Sequence, residues 1–208
     1  NGGNWHSISV REGIQRNLTL NLGVSFANED DDRPGQRRSY GIAGWTKDGR
    51  FVLVYDRYDV WQLSADGAVA KNLTDGAGRK QKITFRVVRP DATSVDRHID
   101  PATPLLLRAE NEDTRDTGFW RDRVDGAEPP VRLVMAPRSF SSPVQAKRAQ
   151  TFLLTASTYS EFPDLWITAP DFSNPRKVSD ANPQQKDIVW GNAALISYRN
   201  SDGVPLKA

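Results

Sequence analysis

Apolar and β-branched residues fall in runs of about four to six, separated by clusters of Gly, Pro, Asn and Asp, which is the pattern of short strands joined by turns. Phe51 to Tyr55, Pro104 to Leu107, Val131 to Met135 and Thr151 to Thr155 are the clearest runs. Hairpin turn signals stand between them at Asp48-Gly49, Asp66-Gly67, Asp125-Gly126 and Asp202-Gly203. Helical periodicity is weak everywhere. Ser142 to Gln150 allows a turn or two of helix, and Asp187 to Ser197 suggests two strands around Gly191-Asn192. The expected class is all-β.

Self-similarity along the chain sharpens that expectation. Trp5, Trp61, Trp120 and Trp166 each open a similar phrase: a strand, a polar turn, and a closing Leu or Val. The closing residue follows at 13, 12, 13 and 12 positions, as in Trp5 to Leu18 and Trp61 to Leu73. The tryptophans are 56, 59 and 46 residues apart, about the length of a four-stranded propeller blade with insertions. Each phrase supplies the two outer strands of a blade. The inner strands precede it, as in Gly44-Trp45 leading into Phe51 to Tyr55, with a second copy at Val189-Trp190 leading into Ala194 to Tyr198. The expected architecture is a partial β-propeller of about three to four four-stranded antiparallel blades. Its approximate units are 1–39, 40–80, 81–138 and 139–186, with 187–208 as inner strands leading onward.

Composition removes rival chemistries. The chain has 208 residues with no Cys and 2 His, so disulfides, thiolate metal sites and cysteine nucleophiles are excluded and zinc is disfavoured. A net charge of +2, dispersed along the sequence, is a poor footprint for nucleic acid. No apolar run approaches the roughly 18 residues of a membrane-spanning helix. No cofactor motif is present. The only Met is Met135, and an incomplete ring would leave apolar blade faces open, so a piece of a longer protein that self-associates through its edges or faces is expected.

Particular stretches resemble a family. Tyr40 to Thr46, Val54-Tyr55-Asp56-Arg57-Tyr58-Asp59-Val60-Trp61, Asn72-Leu73-Thr74, Glu161-Phe162-Pro163-Asp164-Leu165-Trp166 and Ala181 to Gln185 are similar to the propeller of large bacterial peptidases of the prolyl oligopeptidase family. Ile196 to Ala208 looks like the strand that leaves the last blade for an α/β-hydrolase domain. The resemblance implies a non-catalytic propeller that gates peptide access to, and docks against, a downstream hydrolase domain, in a periplasmic or secreted serine peptidase. It departs from the enzyme pattern in one respect: no G-x-S-x-G nucleophile elbow occurs, so this chain is expected to have no catalytic residue of its own. Nor do Glu110 and Glu112 match the paired glutamates of dipeptidyl peptidases. The alternative is an independent propeller serving as a protein-binding or scaffold module.

Candidate site residues follow from position. Trp45 and Trp190, on expected inner strands, and Arg57, in the charged stretch Tyr55 to Asp59, are the candidates to face substrate or the neighbouring domain. A buried Asp and Arg in that stretch would need each other as partners, which makes a blade-to-blade tie the first reading of the cluster. Trp5, Trp61, Trp120 and Trp166 are expected to pack between sheets. The acidic run Glu29 to Asp32 lacks calcium-loop spacing and is expected to be a solvated loop. His6 and His98 have no nucleophile signature beside them. Asn17-Leu18-Thr19 and Asn72-Leu73-Thr74 are formal glycosylation acceptors that occupy the same blade-closing place, so a structural role is expected.

Overall fold

A computed structural model describes residues 3–91 and 94–208. Strand β1 (His6–Ile8) pairs antiparallel with β2 (Gln15–Asn17). A four-stranded antiparallel meander follows, made of β3 (Ile42–Trp45), β4 (Phe51–Tyr55), β5 (Val60–Ser64) and β6 (Ala70–Asn72). A single helical turn and a half, α1 (Ala77–Gln81), crosses to the next meander. That sheet comprises β7 (Ile83–Val88), β8 (Leu105–Asn111), β9 (Thr117–Asp122) and β10 (Val131–Ala136). In the fourth sheet β11 (Ser139–Phe140) and β12 (Val144–Gln145) both pair with β13 (Phe152–Ser157), which continues to β14 (Asp164–Thr168) and β15 (Arg176–Lys177). A hairpin of β16 (Ser197–Arg199) and β17 (Pro205–Lys207) completes the series. The chain is all-β, with successive small antiparallel sheets arranged as in part of a propeller.

The sheets stack face to face, and their sequences show why. Central strands β4 and β5 are buried on both faces, and β4 is an unbroken apolar run because both of its faces are covered. On one side Val52, Val54, Trp61 and Leu63 meet Phe26, with Trp5 and Leu18 packed against them. On the other, Leu53, Val60 and Leu73 join Phe85, Leu107 and Trp120 of the third sheet. Edge-to-face aromatic pairs lock both layers: Phe26 on Trp61 at 5.8 Å and Phe85 on Trp120 at 5.3 Å. The third and fourth sheets meet through Phe119 stacked on Phe172 at 4.6 Å. Strand β13 alternates, with Phe152, Leu154 and Ala156 buried and Leu153 exposed, so the fourth sheet covers its neighbour with one face only.

Several local expectations are corrected. Ser142 to Gln150 forms no helix; β12 and a turn occupy it, because Val144 and Gln145 find ladder partners in Leu153 and Phe152. Asp187 to Ser197 holds no strand pair; a 3₁₀ helix, Pro183–Asp187, precedes irregular chain, and Val189-Trp190 is therefore not a second copy of the inner phrase. Proline at the start of that segment fixes φ for a helical turn. The short helix α1 carried no sequence signal, since its Ala-Gly-Arg-Lys-Gln lacks an apolar stripe. In the third phrase Leu133 is the extra residue of a bulge, and Val134 stands opposite Phe119 in its place.

Candidate functional site

The blade-closing turn is built the same way in three sheets. Thr19, Thr74 and Ser179 each accept the backbone N–H of a residue 14 positions earlier, Trp5, Val60 and Leu165, at 2.9, 3.2 and 2.8 Å. Each hydroxyl then donates to a side chain 15 positions earlier: Asn4 at 3.0 Å, Asp59 at 2.7 Å and Asp164 at 2.6 Å. The latch places Trp5 level with Val60 and Leu165, so His6 is the positional counterpart of Trp61 and Trp166. The tryptophan spacing of the first phrase is thus one residue out of register. The same geometry uses up the hydroxyls of Thr19 and Thr74, both buried, which leaves the two glycosylation motifs serving the fold.

Around the second latch lies the densest polar network. Asp56 is fully buried, and its Oδ1 accepts the N–H groups of Tyr58 and Asp59 at 2.7 and 2.6 Å. Its Oδ2 accepts Trp61 Nε1 at 3.2 Å and Arg79 Nη2 at 3.1 Å. Asp59 accepts the Thr74 hydroxyl and the N–H groups of Gly78 and Arg79, the first turn of α1. Burial nevertheless pushes the Asp59 carboxyl above its ordinary value. The Arg86 guanidinium sits over the Tyr55 ring at 4.7 Å and donates to carbonyls of Phe85, Asp56 and Arg57; burial lowers its pKa.

Arg57 faces the other way. It pairs with Glu112 on the β8–β9 turn at 3.1 Å and with Asp30 at 3.2 Å. Tyr58 donates its hydroxyl to Glu112 at 2.5 Å, and burial together with that carboxylate raises the phenol to about 12. The buried Asp56 therefore takes Arg79 as its partner and Arg57 takes Glu112, correcting the pairing expected within Tyr55 to Asp59. Glu112 was legible in sequence only as a glutamate without context, because the partners stand 55 residues apart.

The three candidate residues are not brought together. Trp45 is on edge strand β3, at the opposite end of the second sheet from Arg57, where its carbonyl accepts Ile99 N–H at 2.8 Å. Trp190 follows the 3₁₀ helix, donates Nε1 to the Gln185 carbonyl at 3.0 Å and meets Tyr159 edge-on at 6.3 Å. It lines a groove of about 610 Å³ with Trp166, Lys177 and Arg138. His98 Nδ1 lies 2.7 Å from Asp96, but the nearby Ser94 hydroxyl is directed to the Asp96 carbonyl at 3.3 Å. Asp31 in the acidic run is bonded by Arg33. Among the described residues no group of three His, Asp or Glu is placed to hold a metal ion, and no helix is long and apolar enough to cross a membrane.

No protein-family model matches the chain, and no curated protein matches it. Among solved structures it is similar to a chain from a structural and mechanistic study of two prolyl endopeptidases, concerned with inter-domain dynamics in catalysis and specificity. The overlap has 15% identity and a TM-score of 0.35, and covers 98% of this chain and 36% of the other. The likeness is distant, and this chain spans little more than a third of that protein's length.

Proposed function

We propose that the chain is the non-catalytic propeller portion of a prolyl oligopeptidase-like serine peptidase, restricting access of peptides to a hydrolase domain and docking against it. The observation that carries this reading is the latch repeated in three sheets, because one copy, Asp59 to Thr74, joins two of the stretches that resemble the family, and another, Asp164 to Ser179, begins in a third. A latch that closes three of the four outer hairpins stiffens the ring segment, which suits a steric filter better than a mobile lid. The absence of a G-x-S-x-G elbow supports a division of labour in which another domain supplies the nucleophile. Exposed Ile196, Tyr198 and Leu206 around the last hairpin offer apolar surface for docking.

The test is the longer reading frame that contains this segment. A G-x-S-x-G elbow beyond Ala208, a serine labelled by a fluorophosphonate probe, and cleavage of short but not long peptides are expected. Removing the propeller should admit the long ones. A reading frame without a hydrolase sequence would overturn the proposal in favour of an independent binding module.

A further inference from the structure

At the end of the sheets opposite Arg57, a cleft of about 950 Å³ opens between the β3–β4, β7–β8 and β12–β13 turns. Its size is that of a site for a small organic ligand. Half-buried Leu106 and Leu133 present apolar surface there, and buried Leu105 and Phe152 also line its wall.

The polar groups of the wall are unequally engaged. Asp96 is held by His98, through both its N–H and its ring, and by Lys47 at 3.7 Å. Asp100 accepts the N–H of Ala102 at 2.9 Å, and Asp171 accepts the N–H and hydroxyl of Ser173 at 2.9 and 2.6 Å. Arg89 is spent on the carbonyls of Ala43 and Arg97. By contrast, no hydrogen bond or ion pair among the described residues engages the side chains of Arg97, Arg121, Gln145 or Gln150, all of which line the cleft. Arg121 influences Asp171 only through space. Unspent donors beside satisfied carboxylates suit an incoming anion. The aspartates of the same wall disfavour a multiply charged one, since like charges in a confined site repel.

We propose that this cleft binds a short peptide by its C-terminal carboxylate, with Arg121 taking the carboxylate, Gln145 and Gln150 the adjoining amides, and Leu106 and Leu133 an apolar last side chain. Guanidinium and carboxylate match as a two-point charge-assisted pair, and primary amides can both donate to and accept from a peptide backbone. The site stands independently of the proposed function, because it needs no hydrolase domain.

Calorimetric titration of the 208-residue chain tests it with three probes: an N-acetylated tripeptide ending in leucine as the free acid, the same peptide as its C-terminal amide, and inorganic phosphate. The acid should bind saturably, the amide about tenfold or more weakly, and phosphate more weakly than the acid, as expected for loss of one charge-assisted pair. Arg121→Gln should reduce acid binding toward that of the amide while leaving the amide unchanged. Gln150→Ala, on an exposed turn, should weaken both, and unaltered melting of each variant separates lost binding from lost fold. Equal binding of acid and amide, tighter binding of phosphate, or no saturable binding overturns the proposal. None of these outcomes bears on whether a longer reading frame encodes a peptidase.

Discussion

The hydroxyl of Thr74 donates to the carboxylate of Asp59 at 2.7 Å across a hairpin, and both groups are buried. The same bond joins Ser179 to Asp164, and in the first hairpin Thr19 to the neutral Asn4. Hydrogen bonds to charged groups contribute more than neutral ones, roughly 1.5–3 against 0.5–1.5 kcal/mol. Thr74→Val should therefore cost about 2–3 kcal/mol and Thr19→Val about 1 kcal/mol, measured by urea unfolding. Equal losses would show that the charge of Asp59 adds nothing to the latch.

Asp122 is 3% exposed; one oxygen accepts the Arg123 N–H while Oδ2 has no partner among the described residues, and burial raises the carboxyl to about 7. A folded-state pKa above the unfolded value means that the native state holds its proton while the unfolded state ionises. The stability of this group is therefore complete below about pH 4 and declines as pH rises to about 7, by roughly 2–4 kcal/mol. Asp122→Asn should flatten that part of the stability profile and exceed the parent above pH 7. A profile unchanged by the substitution would assign the pH dependence elsewhere.

Gly118 is fixed by close approach: a Cβ there would lie 2.0 Å from the Val134 carbonyl oxygen, beside the β9–β10 bulge. The obstructing atoms are backbone of Val134 and Met135, which cannot yield as a flexible side chain could. Gly118→Ala should destabilise the chain by about 3 kcal/mol or more, and thermal melting would reveal it.

The Arg57 to Glu112 pair is partly exposed, with side chains 28% and 38% accessible, so its coupling should be small. A double-mutant cycle of Arg57→Ala and Glu112→Gln should give about 0.2–1 kcal/mol. In a longer protein with peptidase activity, loss of turnover by Arg57→Ala without a change in melting would assign the pair to substrate rather than to holding two sheets together.

On the outward face of the fourth sheet Val144, Leu153, Leu165 and Val178 are each 40–45% exposed and share one side of the ladder. Sedimentation of the chain should show concentration-dependent association, reduced by Leu153→Lys. A stable monomer at high concentration would contradict it.

The sequence by itself determined the class and the rhythm: apolar runs of strand length, Asp-Gly turns, and outer phrases returning along the chain, because a strand's burial and a hairpin's turn are encoded within a few residues. The 15-residue step from Asp59 to Thr74 and from Asp164 to Ser179 was equally present in it, hidden behind the more conspicuous tryptophans. Tertiary structure alone decided that Arg57 would meet Glu112, that Asp56 would take Arg79, and that Trp45, Arg57 and Trp190 would lie apart. It also decided that residues 188–195 would stay irregular, for apolar content without ladder partners does not make a strand. Local propensity specifies each sheet; which sheet edges and turns come within a few ångströms depends on how successive sheets stack, and no local pattern records that.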